Sequence, residues 1–162
     1  MSSRHDADNI TGIVYARNTQ RVVIPAGPNG PLGDQVIASG LLYRKPTDQT
    51  PIGTFDLSAI TTSAGDTTER RQVFIELALD NTYLRRSPFG DLRRSSSRRF
   101  SRSDINLAGV ETYPIGGGIL QTPLRLGVST GTGTFLRADG LATITYDDSS
   151  QIFTYDLNLF NC

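Results

Sequence analysis

The feature that most constrains this chain is a strict alternation in the segment Arg71–Leu84. Val73, Ile75, Leu77 and Leu79 alternate with Gln72, Phe74, Glu76, Ala78 and Asp80. A period of two belongs to a β-strand and not to a helix. Seven further segments carry weaker forms of the same pattern: Thr11–Ile24, Gln35–Lys45, Ile52–Thr62, Asp104–Tyr113, Gln121–Val128, Leu136–Tyr146 and Gln151–Phe160. Within Ile52–Thr62, the parity places Gly53, Phe55, Leu57 and Ala59 on one face. The intervening stretches are turn-formers: Pro25–Gly33 holds three prolines, Gly116 to Gly118 are consecutive glycines, and Asp147-Asp148-Ser149-Ser150 suits a hairpin. No segment reads as an amphipathic helix. The expected fold is therefore all-β: a single antiparallel barrel of about eight strands, since closure removes aggregation-prone edges. A barrel of about that size has a lumen that fits side chains or one small ligand.

Composition narrows the chemistry. The only Cys is Cys162 and the only His is His5. That leaves no disulfide framework, no Cys-based zinc cluster, no multi-histidine metal site and no interior Ser-His-Asp triad. No metal and no cofactor is expected. Sixteen basic and sixteen acidic residues cancel, which makes nucleic acid an improbable partner for the surface as a whole. No apolar run reaches the roughly 18 residues of a membrane span. Residues 1–10 are polar and read as a flexible tail before a single domain over 11–162, and without an apolar stretch they do not read as a secretory signal. The expected location is cytoplasmic.

One stretch breaks the pattern. Arg85 to Arg102 carries seven Arg against one acid, Asp91, so +6, and the rest of the chain carries −6. The Arg-rich loop 85–103 has three readings: a solvated connection, a site for an anionic partner, or a flap over the barrel mouth using Phe89, Leu92 and Phe100.

The most specific local motif is Gly131-Thr132-Gly133-Thr134-Phe135-Leu136-Arg137-Ala138-Asp139-Gly140. A phosphate loop would need a following Lys-Ser/Thr and a helix N-terminus, and neither is there. The better reading is structural: glycines at tight turns, with Phe135 and Ala138 packed between them. This motif, followed by a strand and the closing run Phe153-Thr154-Tyr155-Asp156-Leu157-Asn158-Leu159, resembles the dirigent and allene oxide cyclase-like β-barrel superfamily. The Ile52-Gly53-Thr54 strand entry is similar. The resemblance implies a lipocalin-like, allene oxide cyclase-like barrel whose apolar lumen folds a reactive substrate into one conformation, without metal or organic cofactor.

Several residues are candidates for polar help in such a lumen. Glu76 is an acid or base if its face turns inward, with Phe74 beside it, and an ordinary surface charge if it turns outward. Arg125, alone between Leu124 and Leu126, is a carbonyl-polarising cation or an outward-facing one. Tyr43 and Tyr155 are the phenols with apolar same-face neighbours. Phe74, Phe135, Phe153 and Phe100 are candidate substrate contacts. Asp56 and Asp156 alternate against apolar neighbours and are expected outside. The resulting expectation is a cofactor-independent cyclase or isomerase acting on a small apolar polyunsaturated metabolite. The alternatives are a non-catalytic hydrophobic-ligand barrel and an interaction protein using the Arg-rich loop. Apolar outer faces suggest a homo-oligomer.

Overall fold

A computed structural model describes residues 10–80, 102–115 and 123–160. It contains eight strands: β1 (Ile10–Ile24), β2 (Gln35–Tyr43), β3 (Gly53–Ala64), β4 (Thr68–Asp80), β5 (Arg102–Pro114), β6 (Leu124–Gly131), β7 (Asp139–Asp147) and β8 (Ile152–Phe160). Each pairs antiparallel with the next, and β8 closes on β1. The fold is an all-β, closed, up-and-down barrel of eight strands, as the alternation and turn spacing lead one to expect. Strand ends differ from the sequence reading by a few residues. β1 already starts at Ile10, and Arg102 and Ser103 belong to β5. Residues 81–84 of the fourth segment, the Arg-rich residues 85–101 and the glycines 116–118 lie outside the described residues.

The inward parity is set by hydrophobicity. On β4 the buried side is Val73, Ile75, Leu77 and Leu79, and across the barrel it is met by Val14, Leu42, Phe55, Leu126, Ala142 and Leu157. Burying each large aliphatic side chain contributes about 1.5–3 kcal/mol, so a one-residue slip of any strand would be strongly disfavoured.

The two ends of the barrel are built differently. At one end, here the base, a single 3-10 turn over Gly133–Phe135 folds Phe135 into the core, where it is fully buried. Two glycines make that possible. A Cβ on Gly131 would lie 2.2 Å from the Phe135 carbonyl oxygen, and Gly133 has φ +58° with Ser103 against it. The Ser103 hydroxyl accepts the Thr134 amide at 2.9 Å and fixes the turn. The motif that resembles a phosphate loop is thus a plug.

At the other end, the mouth, two strands are irregular. β1 pairs with β8 only through Arg17, then shifts register between Asn18 and Gln20, and continues to Ile24 beside β2 alone. β3 shifts register against β4 between Thr61 and Ser63. Such bulges bend a strand and re-aim its side chains. Among the described residues, no helix is long and apolar enough to cross a membrane.

Candidate functional site

The inward face of β4 changes character near the mouth. Following the parity of Val73 backwards gives Arg71 and then Glu69, both buried. Register carries the change to both neighbours. Thr61 on β3 and Glu111 on β5 flank Arg71, and Tyr113 on β5 faces Glu69. Paired residues in an antiparallel ladder share a face, so these five side chains converge on one rim of the lumen. From the opposite wall, β1 adds Asn18 and Arg21. These are three residues apart and would face opposite ways in a regular strand; the bulge turns both inward.

Four of these, Asn18, Arg21, Arg71 and Tyr113, line the top of a cavity of about 80 Å³, floored by Phe55, Leu57, Val73, Leu124, Ile144 and Tyr155, while Thr61, Glu69 and Glu111 stand beside Arg71 and Tyr113 by register. Ordinary small-molecule pockets measure about 300–1,000 Å³. The enclosed part therefore accepts one ring or a short chain, and the rest of a metabolite-sized ligand would extend through the mouth.

The electrostatics of this rim are concentrated in one pair. The Arg71 guanidinium donates to the Glu69 carboxylate, and their side chains are only 7% and 1% exposed. The guanidinium carbon also sits 4.6 Å from the centre of the Tyr113 ring, a cation–π contact. Arg71 Nε and the Thr61 hydroxyl are buried without a hydrogen-bond partner among the described residues. Burying an unpaired donor costs about 1–3 kcal/mol, so two of them side by side mark a place built to meet an acceptor.

The phenols are held in their neutral form. Burial pushes the Tyr113 hydroxyl up to about 12, partly offset by the Arg71 charge and reinforced by Glu111. Tyr155, fully buried, is pushed up further, by burial first and then by Tyr113. Both are hydrogen-bond donors at any physiological pH. The rim can therefore donate hydrogen bonds to an oxygen atom at the polar end of an apolar ligand.

The residues singled out from the sequence divide between the two sides of the wall. Tyr155 and Phe153 line the cavity. Phe153 also packs against Tyr146, ring centres 4.6 Å apart. Phe135 is in the lumen but at the base, as part of the plug. Glu76, Phe74, Arg125 and Tyr43 are not in the lumen, which corrects the expectation that they meet a ligand there. Val73, Ile75 and Leu77 take the inside of β4, so Glu76 and Phe74 face out; Glu76 is 45% exposed and 3.6 Å from Arg102. Arg125 is exposed between buried Leu124 and Leu126. Tyr43 is buried on the outside of the wall, beneath the Arg17 guanidinium at 4.6 Å. Asp56 and Asp156 are exposed, as expected. Phe100 lies outside the described residues. Glu69, Arg71 and Thr61 were not anticipated, and Tyr113 was one of six tyrosines among which Tyr43 and Tyr155 were preferred. The signal for two of them was present, because the β4 alternation continues through Arg71 to Glu69.

The closed eight-stranded antiparallel barrel is the fold that this chain shares with dirigent proteins of solved structure. The solved structures it matches include a pyocyanin demethylase, with a TM-score of 0.67 at 16% identity over 93% of this chain and 99% of that one. Two pterocarpan synthase dirigent proteins also match, each at 16% identity. One has a TM-score of 0.61 over 99% of this chain and 94% of its own, and the other 0.55 over 98% and 96%. No protein-family model and no curated protein matches the sequence. At this identity the likeness establishes the fold.

Proposed function

We propose that the barrel binds one small, largely apolar, unsaturated metabolite through its mouth and directs a ring closure or isomerisation of it. The observation that carries this reading is Arg71, which lines the apolar cavity with a buried Nε that has no hydrogen-bond partner among the described residues, beside the register-paired Thr61 hydroxyl, buried in the same condition. Confinement by Phe55, Leu57 and Tyr155 would hold the reacting atoms at near-attack distance. Arg71 and the Tyr113 phenol would donate to an oxygen on which negative charge grows as the new bond closes. Glu69 would act as a positioning residue, since its carboxylate fixes the guanidinium. Ring closure of this kind conserves mass and consumes no co-reactant. The matched structures include proteins named as a demethylase and as pterocarpan synthases, so the fold is compatible with catalysis.

The test is to record native mass spectra before and after mild solvent extraction, and then to incubate any released molecule with the extracted protein. The expected result is a bound small molecule and a protein-dependent product of unchanged mass, formed as one stereoisomer. Arg71→Gln should slow it by about a hundred- to a thousandfold, the usual effect of removing one oxyanion donor. A bound molecule returned unchanged would make the barrel a ligand carrier instead. A product lighter by one methyl group would replace ring closure with demethylation.

We further propose that the outer face of β1 to β5 packs against a second copy of the chain. Register puts Ile24, Ile60 and Val110 in one row and Val22, Ile37 and Phe74 in the next, each 41% to 47% exposed. Arg70 borders this patch on the mouth side, and Asp56 and Glu76 border it on the base side. A two-fold arrangement would set Arg70 of one copy against Asp56 and Glu76 of the other. A monomeric mass at micromolar concentration would remove this proposal.

A further inference from the structure

We infer that the lumen discriminates by charge, taking a neutral oxygen acceptor such as a ketone or quinone-type carbonyl and rejecting a carboxylate of the same shape. This rests on the reading of the lumen as a ligand site. A buried guanidinium over an apolar cavity looks at first like an anchor for an acid. The register argues otherwise. Arg71 is already ion-paired with Glu69, which is as deeply buried as Arg71 itself. Directly beside Arg71 on β5 stands Glu111, facing the same way. The other cation on the cavity, Arg21, is exposed on the opposite wall and already has an interaction of its own.

A ligand carboxylate would thus bring a third negative charge to one guanidinium. It would lose its hydration on entering an apolar cavity and be repelled by two carboxylates at the rim. A neutral carbonyl meets neither cost. Its oxygen can accept from Arg71 Nε and from the Thr61 hydroxyl, which sit on register-paired residues and have no hydrogen-bond partner among the described residues. The nearby phenols, Tyr113 and Tyr155, are donors as well, and so match an acceptor. Discrimination of this sort works through a built-in repulsive element as much as through an attractive one.

Calorimetric titration of the full chain with a matched pair of probes, acetylnaphthalene and naphthoate, tests the inference at neutral pH. The ketone is expected to bind at least about tenfold more tightly, a difference of about 1.4 kcal/mol. Glu111→Gln should narrow that ratio by strengthening naphthoate binding while leaving the ketone nearly unchanged. Glu69→Gln should narrow it further if the protein folds, and Glu111→Gln carries the test if it does not. Equal or tighter binding of naphthoate by the unaltered protein overturns the inference and leaves the lumen reading standing. So does a ratio that Glu111→Gln does not move. Silence from both probes removes the lumen reading itself. Phe74→Asp, on the outer wall, is expected to change neither affinity; loss of binding there would place the probes outside the barrel and overturn both.

Discussion

Arg71 shares a strand face with Val73, Ile75 and Leu77, where an unpaired guanidinium would be untenable. Glu69, two residues back, makes it tolerable by pairing with it. Breaking such a buried pair from one side typically costs about 3–5 kcal/mol, because the remaining charge is stranded. Arg71→Ala is therefore expected to lower the urea midpoint sharply. The double change Arg71→Met with Glu69→Leu should restore most of that stability while abolishing ligand binding, which separates the pair's function from its contribution to folding. Tyr113 permits a pH test. Its folded value lies above the ordinary phenol value of 10.0, at about 12. The neutral phenol's contribution is then fully present below pH 10 and is lost as pH rises through about 12. Unfolding stability should fall across that window, by at most about 1.4 kcal/mol per pH unit per phenol. Tyr113→Phe should flatten the fall, read by denaturant titration alongside the late rise of tyrosinate absorbance. At this scale the sequence was legible wherever parity could be followed. Continuing the β4 alternation two steps backwards reaches Arg71 and Glu69. Glu76 was the wrong-face alternative of that same strand, and nothing within one strand says which face is inside until the apolar run is weighed against it.

Among the elements, β1 shows why part of the site was hidden. Thr11 to Ile24 reads as one strand or two short ones, with a polar middle, Asn18-Thr19-Gln20. That polar run conceals the register shift that brings Arg21 to the cavity. A bulge adds one residue and resets the period, so alternation counted from either end cannot cross it. Deleting Thr19 alone removes the extra residue and should leave Arg21 facing inward, whereas deleting Thr19 together with Gln20 should reverse the second half of β1, turning Arg21 outward and Val22 inward. The expected result for the double deletion is a folded barrel with weakened probe binding and altered amide shifts in Arg21–Ile24. The plug is the opposite case. Its glycines and Phe135 were legible as a tight turn because only small residues tolerate the observed approach of backbone to backbone. Gly131→Val would drive a side chain into the Phe135 carbonyl, and is expected to cost about 1–3 kcal/mol by thermal unfolding, in line with overpacking elsewhere.

At the scale of the whole molecule, eight alternating segments with turn signals between them sufficed for the closed barrel, since few other arrangements bury eight one-sided strands. What they could not supply was the distinction between the two ends. That depends on which loops meet, and it places the polar rim at the mouth. The outer wall also belongs to this scale. If two copies meet on the Phe74 face, light scattering should give a multiple of 17.6 kDa, and Ile60→Asp with Phe74→Asp should reduce it to the monomer without altering the circular dichroism. The lumen remains the centre of the functional reading, and methyl NMR interrogates it most directly. On adding acetylnaphthalene, the methyl signals of Val73, Leu57, Leu124 and Ile144, which line the cavity, should shift, while those of Ile37, Ile60 and Val110 on the outer wall stay in place. Shifts confined to the outer wall, or no shifts at saturating probe, would contradict a lumen that binds ligand.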